Sequence, residues 1–544
     1  MLEYTLVNGL PSGSRTVWSR LPLQPLAAGP LTPFSYSILE EVARRAWYQY
    51  YDELGFGPQP RARVLRQQNG CPYLNLTISA QRDAECAGVE PLTLLLNGER
   101  FPVAQGEKSG FLAGIRQGRN RKKIATTLAE YADSIPAVTQ KAQSWNAKTK
   151  DLRWTQADVL QVMEEIERVA VDSFKIFFAT RHQLELSFNQ LLWLTNGQKI
   201  YPTNIALIGN ALGELTGLIE YQVAMEVIAL GEMARANEAA MQWLAAAEFH
   251  DWYTTIPDRQ FNNGVSSFLT KYGHRAASEA EIRHERWENE VHFLFSSLHA
   301  LALKQPKQPI SIPSGQHVQR LLDLAAPSDR KRAQQLLEEI RKLLPLQSQA
   351  LHAFAYLLAG TRQWAHAAAG EAMADERIGQ ADDVFFFTLE EVKQMMTGEW
   401  NVSDKQKIRR TCAERRKTFA EWEQAMAQDA VPWLLIGDSA AQAVTKGLPA
   451  VSGEAIGPLR RWDTAVPAHC KGAIVATNHV DISWSLILPL ARALVVAQGT
   501  PVEPIVAAAR AWHIPAVTTL GEKYHALVDG AQTTVDGERG HVDQ

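Results

Sequence analysis

Residues 499–517 read GTPVEPIVAAARAWHIPAV and carry the clearest information on the fold of the C-terminal region. The run opens on turn residues, its Pro504 suits the first turn of a helix, and it closes on the apolar pair Ala516-Val517. Two further apolar runs precede it, Ala473-Ile-Val-Ala476 and Ala493-Leu-Val-Val496, separated by helical and turn segments. Short apolar strands that alternate with helices predict a small α/β domain here.

The pattern upstream of this domain is helical. Between about residues 111 and 430, apolar positions recur every three or four residues, and Thr155-Gln-Ala-Asp158 is typical of a capped helix start. The first hundred residues instead combine Pro and Gly with short β-type runs around a helix expected from Ser37 to Tyr51. The pattern therefore predicts a mostly α, multi-domain protein.

We place the domain boundaries where the predicted pattern of secondary structure changes. Residues 1–105 form a β- and loop-rich unit leading into the central domain, residues 106–430 a large α-helical body, and residues 431–544 the α/β domain.

Composition limits the class of protein. The sequence has 544 residues, of which 46% are hydrophobic and 21% charged, which is ordinary for a soluble globular protein and excludes disordered, collagen-like and coiled-coil chains. The formal net charge of −4 gives no overall field that favours nucleic acid or an anionic membrane. The four scattered cysteines and the absence of an initial signal-like apolar run lead us to expect a cytoplasmic protein. The most apolar stretch, Asn204–Leu230, carries three glutamates and is expected to be a buried helix rather than a membrane span.

Motifs along the chain resemble the phosphoenolpyruvate synthase and pyruvate phosphate dikinase group. The most specific central motif is Phe268-Leu-Thr-Lys-Tyr-Gly-His-Arg275, followed by Glu279-Ala-Glu281 and Arg286-Trp287. The stretches Gly70–Thr77 and Asp382–Glu391 also match elements of this group in order. The pattern is most similar to rifampicin phosphotransferase-like enzymes and to the related ligase of prodigiosin biosynthesis.

The resemblance implies that the C-terminal α/β domain is the swivelling domain, in which a histidine of these enzymes carries a phosphoryl group. Asp481-Ile-Ser-Trp484-Ser485 is similar to the turn that precedes the carrier segment. The carrier motif aligns without gaps to Gly499–Val517, and this alignment places Pro504 at the phosphohistidine position, Glu503 at the neighbouring serine and Thr500 at the second glycine.

These substitutions remove the chemistry of a carrier. A phosphohistidine needs an imidazole nitrogen with a free lone pair in line with phosphorus, and proline has no nucleophile in its side chain. Because proline is well tolerated in the first turn of a helix, the fold can persist without the reaction. Glu503 adds a negative charge where an incoming phosphate would sit.

Other routes to phosphoryl transfer have little support in the residues. On a continuous helix, His513 would lie about 13 Å along the axis and half a turn from Pro504, so it would face the wrong way to replace the carrier. His479, which precedes the Trp484 turn, is the histidine that we consider as a substitute carrier. The sequence carries neither a P-loop nor a Gly-x-Gly-x-x-Gly motif, and we expect no ATP-grasp domain ahead of the central motifs. We expect no cofactor, no nucleic acid and no membrane partner.

The candidate substrate-binding residues cluster at the family motifs. Arg275 and Arg286 could clamp a carboxylate or phosphate, with His274 moving a proton. The full predicted set is His274, Arg275, Glu279, Glu281, Arg286, Trp287, Asp481 and Trp484. The alternative, which we favour on residue types alone, is that the Arg–Glu pairs pin helices together around an interior histidine.

Three further patterns favour structural interpretations. The acidic residues Glu279, Glu281 and Glu285 do not share one helical face, so we predict that they lie on a solvated surface rather than at a metal site. Aromatic residues in Trp243–Tyr253 and Phe385–Phe387 are expected in the core rather than in a ligand pocket, and the basic run Arg116–Lys123 is expected on a solvated surface.

The leading functional hypothesis is therefore a phosphoenolpyruvate-synthase-like pseudoenzyme that has lost phosphoryl transfer and binds a small, hydrophobic molecule or a partner subunit, in specialised biosynthesis. The first alternative is the substrate-binding subunit of a split ATP-dependent phosphotransferase or ligase whose ATP-grasp domain is a separate chain. The second is a structural interaction protein.

Overall fold

The structure is a computed structural model, and it describes residues 16–59, 62–89, 93–96, 99–102, 111–151, 156–196, 201–304, 306, 308–309, 314–397, 404–428, 431–440, 447–461, 467–521 and 523–544. These residues are mostly helical, with a β-rich region at the C-terminus, which confirms the predicted fold class.

The N-terminal unit mixes strands and helices. Its elements are β1 (Val17–Ser19), α1 (Pro33–Leu54), β2 (Leu65–Gln68), β3 (Cys71–Asn75), α2 (Leu76–Ala87), β4 (Thr93–Leu96) and β5 (Glu99–Pro102). The helix predicted from Ser37 to Tyr51 is longer at both ends, because Pro33 suits the first helical turn and Gly55 adopts φ +62° at the C-terminal cap.

The central body consists of long helices. They are α3 (Phe111–Asp151), α4 (Gln156–Asn196), α5 (Pro202–Leu212), α6 (Ile219–Arg235), α7 (Glu238–Ala246), α8 (Trp252–Thr255), α9 (Arg259–Tyr272), α10 (His292–Leu303), α11 (Ser314–Leu324), α12 (Arg330–Ala374), α13 (Leu389–Thr397) and α14 (Lys405–Ala427). Helix α12 packs along α3 and α4. Gly360 in α12 permits this packing, because a Cβ atom there would collide with the Trp145 ring of α3.

One helical prediction in this body was wrong in extent. The stretch from Asn204 to Leu230 is two helices, α5 and α6, which are separated at Gly213–Leu218. The 45-residue α12 continues through Pro345, and all of its residues from Ala350 to Arg362 are buried. The capped start expected at Thr155 lies outside the described residues.

The C-terminal region completes two sheets. Its elements are β6 (Leu434–Ile436), β7 (Ser439–Ala440), β8 (Leu448–Val451), β9 (Glu454–Arg461), α15 (Pro467–Cys470), β10 (Ile474–Thr477), β11 (Ala493–Val496), α16 (Pro504–Ala509), β12 (Ala516–Thr518), α17 (Lys523–Ala526), β13 (Gln532–Asp536) and β14 (His541–Asp543). β6 and β7, which the sequence assigned to the swivelling domain, extend the N-terminal sheet in the order β2-β3-β1-β6-β7.

The α/β domain is a seven-stranded sheet in the order β14-β13-β9-β10-β11-β12-β8. Strands β9 to β12 are parallel, and antiparallel strands flank them on both sides. Alternate residues of β10 serve different cores: Ile474 and Ala476 pack inside the domain, whereas Val475 belongs to the large core of the helical body. One face of the sheet is therefore turned towards the body.

Several local predictions agree with the structure. The side chains of Phe385–Phe387 are buried in the core, and the charged residues of Arg116–Lys123 lie exposed on α3. No helix in the described part of the chain has the length and apolarity needed to cross a bilayer.

Candidate functional site

The carrier position of the family lies at the interface between the α/β domain and the helical body. Pro504 is the first residue of α16, which agrees with the prediction that proline would be accommodated in a first helical turn. It is buried, and it borders a narrow cleft together with Glu220 of α6, Arg275 and Asp481. The elements that would present a carrier to an acceptor are thus in contact.

Glu503, just before Pro504, makes the strongest polar contact across this interface. Its two carboxylate oxygens accept hydrogen bonds from Arg181 Nη1 at 3.1 Å and Arg181 Nη2 at 2.8 Å. Arg181 Nε donates to Glu185 at 2.9 Å, one turn further along α4, and Thr500 Oγ1 donates to Glu503 at 3.0 Å. Arg181 and Glu503 are only 2% and 1% exposed, so this is a desolvated, bidentate ion pair between domains.

The electrostatics of this triad are unbalanced, because one guanidinium serves two carboxylates. Burial opposes the charge of Arg181, but the adjacent carboxylates of Glu503 and Glu185 outweigh that effect and hold the pKa of Arg181 above its ordinary value. Burial raises the pKa of Glu185, and the negative charge of Glu503 adds to the rise against the attraction of Arg181. Two carboxyl groups therefore share one guanidinium in a site that is closed to water.

A pocket lies against the other side of Arg181. Its wall is apolar and aromatic, with Arg181, His182, Glu185 and Ser79 as polar members; the apolar lining residues are Pro22, Leu23, Leu74, Leu76, Phe174, Phe177 and Phe178. We call this set the aromatic pocket. His182 Nε2 contacts Asp83 at 2.6 Å, and Tyr51 donates to the same carboxylate at 3.0 Å, so the imidazole is held in place from behind.

Arg275 is the predicted residue that borders the carrier cleft on the body side. It forms a bidentate ion pair with Glu279, including a 3.0 Å bond from Nη2, and its Nη1 lies 3.3 Å from Nδ1 of His352. Burial, with a contribution from Arg275, holds the pKa of His352 well below its ordinary value, so this imidazole is neutral. The charge of Arg275 is thereby already matched by Glu279.

Glu220 faces Arg275 across the cleft. Ser348 donates to its carboxylate at 2.5 Å, and the same hydroxyl accepts from the backbone N–H of Ile219 at 2.9 Å. Burial raises the pKa of Glu220, although the hydrogen bond from Ser348 and the charge of Arg275 act against the rise.

His274 faces away from the cleft lining and stacks on Tyr356, with ring centroids 3.4 Å apart. Within hydrogen-bond distance, neither ring nitrogen has a partner among the described residues. Burial and the adjacent His352, Arg275 and Arg286 hold its pKa well below the ordinary value. It is a neutral, interior histidine in this structure.

Of the three glutamates expected on a solvated surface, Glu285 is exposed, but Glu279 and Glu281 are buried, so for these two the prediction was wrong. Glu281, Arg286 and Trp287 hold elements of the body together. Glu281 accepts hydrogen bonds from the backbone N–H of Thr32 at 2.6 Å and from the hydroxyl of Ser35 at the start of α1. Arg286 donates to the backbone carbonyl of Glu279 at 3.3 Å. Trp287 stacks on Phe268. Burial lowers the pKa of Arg286 to about 10.

The remaining two, Asp481 and Trp484, lie in the α/β domain. Asp481 accepts from the Ser278 backbone N–H of the body at 2.9 Å and caps its own 3₁₀ turn through Ser483 at 2.9 Å. Trp484 is buried in the large core. The structure thus brings Arg275 and Asp481 to the carrier cleft, and places the other six in packing positions beside it.

The apolar part of the interface is continuous with the core of the body. Trp484, Ile505 and Trp512 belong to the same buried cluster as the residues of α6 and α12, and Trp512 packs on Tyr221 with ring centroids 5.3 Å apart. The two cavities are correspondingly small, about 10 Å³ at the carrier cleft and about 20 Å³ in the aromatic pocket. Each has room for about one water molecule. The domains are closed on each other.

The two histidines considered as substitute phosphoryl carriers, His479 and His513, lie in different environments. His479 is half-buried and adjoins Val480, which lines the carrier cleft. The continuous helix assumed for His513 is not present, because α16 ends at Ala509 and His513 follows a 3₁₀ turn with φ +48°, exposed to solvent.

Sequence reasoning missed Arg181, Glu185, Glu220 and the Asp83–His182 pair. Each belongs to a segment whose apolar pattern predicts an ordinary helix. The available signal was the density of titratable residues on the apolar face of α4, where Arg181, His182 and Glu185 interrupt a phenylalanine-rich run.

Comparison with known proteins gives the chain a context. A family model described as the fourth domain of rifampicin phosphotransferase matches residues 172–367, and one described as the mobile domain of PEP-utilising enzymes matches residues 469–540. A phosphoenolpyruvate synthase of Aeropyrum pernix is 32% identical over 104 residues, which is 19% of this chain and 13% of that protein. The segment shared with this curated relative is therefore a small part of either protein. The first match contains Arg181 and Arg275, and the second contains Glu503 and Pro504.

Proposed function

We propose that this chain, which belongs to the phosphoenolpyruvate synthase and pyruvate phosphate dikinase group, does not carry a phosphoryl group and instead binds a small molecule between its helical body and its docked mobile domain. One observation carries the proposal: Pro504 stands at the carrier position, and the preceding Glu503 is ion-paired with Arg181 of the body.

The first support is chemical. Phosphoryl transfer to the carrier needs a nucleophilic nitrogen at the start of α16, and the pyrrolidine ring of Pro504 supplies none. Glu503 pairs with Arg181, and Arg275 beside the cleft pairs with Glu279, so a phosphoryl group brought here would meet carboxylates rather than a free guanidinium.

The second support is mechanical. A carrier domain must leave one site to reach another, but this domain shares a continuous apolar core with α6 and α12. Moving it would expose Trp484, Ile505 and Trp512 to water, and would separate the desolvated Arg181–Glu503 pair. An interface of this character favours a docked resting state over a freely swivelling domain.

Incubation with labelled ATP tests the loss of phosphoryl transfer. The full chain is mixed with a separately produced ATP-grasp domain and γ- or β-labelled ATP, and the protein is then treated with acid and with base. An intact phosphoenolpyruvate synthase is the positive control. We expect no acid-labile, base-stable label on this chain, and a stoichiometric label of that kind would overturn the proposal.

The matched variant is Pro504→His, alone and combined with Glu503→Ser. Labelling of the double variant but not of the wild type would locate the loss in these two residues. The alternative of a split enzyme is tested in the same experiment, since it predicts label or ATP turnover only when both proteins are present. His479, beside the carrier cleft, is the residue to replace if such label appears.

A further inference from the structure

The aromatic pocket and the Arg181–Glu503 pair form one continuous feature. Arg181 lines the pocket, and its guanidinium extends from the apolar wall to the Glu503 carboxylate. Phe174, Phe177 and Phe178 on α4 form the wall, with Leu23 opposite. An apolar chamber that ends at a cation has the polarity of a site for an amphiphilic anion.

Glu503 has the position of an internal ligand in this arrangement. Its carboxylate is bound bidentately, as a ligand carboxylate would be, but it comes from the mobile domain and not from the body. The other partner of Arg181, Glu185, lies on the same helix and stays in place when the domains separate. Only one of the two carboxylates is therefore exchangeable.

We propose that the aromatic pocket binds a hydrophobic monocarboxylate, whose carboxylate replaces Glu503 on Arg181 and whose apolar tail lies against the phenylalanine wall. This assigns a ligand class and a site to the function proposed above, and it rests on that proposal. Binding of the ligand and pairing of Glu503 with Arg181 are then mutually exclusive.

The exchange is chemically balanced and needs no co-reactant. One carboxylate leaves the guanidinium and another takes its place, so the number of charge-assisted hydrogen bonds on Arg181 is kept. The ligand gains by burying its tail in the pocket, and this gain must exceed the advantage that Glu503 has from being tethered nearby. The 20 Å³ cavity admits about one water molecule, and all of its lining residues belong to the N-terminal unit and α4. Glu503 therefore withdraws to free Arg181 for the carboxylate, and the apolar tail enters by parting α4 from the N-terminal unit.

A competing internal ligand predicts reciprocal effects. Weakening the contact between Glu503 and Arg181 should strengthen ligand binding. The bound ligand should in turn make docking of the mobile domain less favourable by the same coupling free energy. A monocarboxylate is favoured over a dianion because Arg181 is the cation at the end of the pocket and the Glu185 carboxyl already takes its Nε, which leaves the two Nη groups for one carboxylate.

The experiment titrates the full chain with sodium decanoate by isothermal titration calorimetry, below micelle-forming concentrations, with 1-decanol as the uncharged probe. Glu503→Gln is the test variant. Glu538→Gln, an exposed carboxylate of the same domain, is the matched control for the change of charge. Arg181→Met is the loss variant, and the conclusion does not depend on it should it fail to fold.

We expect Glu503→Gln to bind decanoate about ten- to a hundredfold more tightly than the wild type, which corresponds to the loss of one charge-assisted contact. Glu538→Gln should bind as the wild type does, and hydrogen exchange of residues 499–512 should accelerate when decanoate is added. Equal affinity of the wild type and Glu503→Gln, equal binding of decanol, or no binding to Glu503→Gln would each overturn this proposal. The labelling experiment is independent of these outcomes, so the ligand class can fail while the loss of phosphoryl transfer stands.

Discussion

Replacing Arg181 by methionine should be one of the most destabilising single changes at the domain interface. The substitution keeps an unbranched apolar stem but removes the guanidinium, and it leaves the carboxylates of Glu503 and Glu185, 1% and 9% exposed, with no cation between them. Breaking one buried ion pair costs about 3–5 kcal/mol. With two carboxylates affected, we expect the loss at neutral pH to reach at least the upper part of that range.

The other members of the triad should behave differently. Glu503→Gln keeps an oxygen that accepts from Arg181 and leaves the Arg181–Glu185 pair neutral, so its cost should be about 1–2 kcal/mol. Burial, with the charge of Glu503, raises the pKa of Glu185 and so disfavours its ionised form, and Glu185→Gln should therefore be close to neutral or slightly stabilising.

Urea unfolding followed by tryptophan fluorescence measures these differences, and Trp484 and Trp512 of the interface are two of the fifteen tryptophans that contribute to the signal. The double variant Arg181→Met/Glu503→Leu should be more stable than the sum of the single changes predicts, by about 2–3 kcal/mol of coupling. A cost below about 1 kcal/mol for Arg181→Met, or additive behaviour of the pair, would refute the ion pair as the main polar contact between the domains.

Three further predictions concern pH, docking and packing. Burial holds the pKa of His274 and His352 below the ordinary value, so the unfolded chain binds more protons than the folded one at acid pH. The free energy of unfolding should therefore fall by about 1.4 kcal/mol per histidine for each pH unit below about 6.5. In urea titrations at pH 7 and 5, His352→Phe should remove one of these two contributions, and an unchanged dependence of the unfolding free energy on pH would contradict the prediction. Asp481→Ala should lower the free energy of unfolding by about 1–2 kcal/mol, since it removes the acceptor of the Ser278 backbone N–H of the body. Hydrogen exchange at the Ser278 N–H should become faster in this variant, but not in the exposed control Glu538→Ala. Gly360→Ala should destabilise the body by about 1–3 kcal/mol through collision with Trp145, and a midpoint of urea unfolding equal to that of the wild type would show that α3 can move aside.

Much of the fold follows from local pattern. The apolar runs at β10, β11 and β12 and the proline at the first position of α16 are readable because strand and helix-start preferences act over a few residues. Helix ends were less accurate, as α1 shows, since Thr32 and Gly55 fix its limits through conformations that the periodicity of apolar residues does not report.

Long-range pairing accounts for most of what the sequence did not reveal. Strand β6 joins the N-terminal sheet through β1, more than 400 residues earlier in the chain, and Glu503 meets Arg181 across 322 residues. The spacing of residues along a helix carries no information about such partners. The family motifs pointed to Arg275 and Asp481 at the cleft, but whether Arg275 was free or already paired with Glu279 depended on side-chain geometry.

The buried state of the native cysteines allows a direct measurement of the docked domain. Because all four are buried, nitroxide labels can be placed selectively at Gln316→Cys on α11 and Glu538→Cys after β13, both exposed. The distance distribution between these labels, measured by double electron–electron resonance without ligand and again with ATP and phosphoenolpyruvate, reports the position of the mobile domain. We predict one narrow distribution that the nucleotides and phosphoenolpyruvate leave unchanged, whereas a broad or two-peaked distribution would contradict a domain held on the body by Arg181 and Glu503.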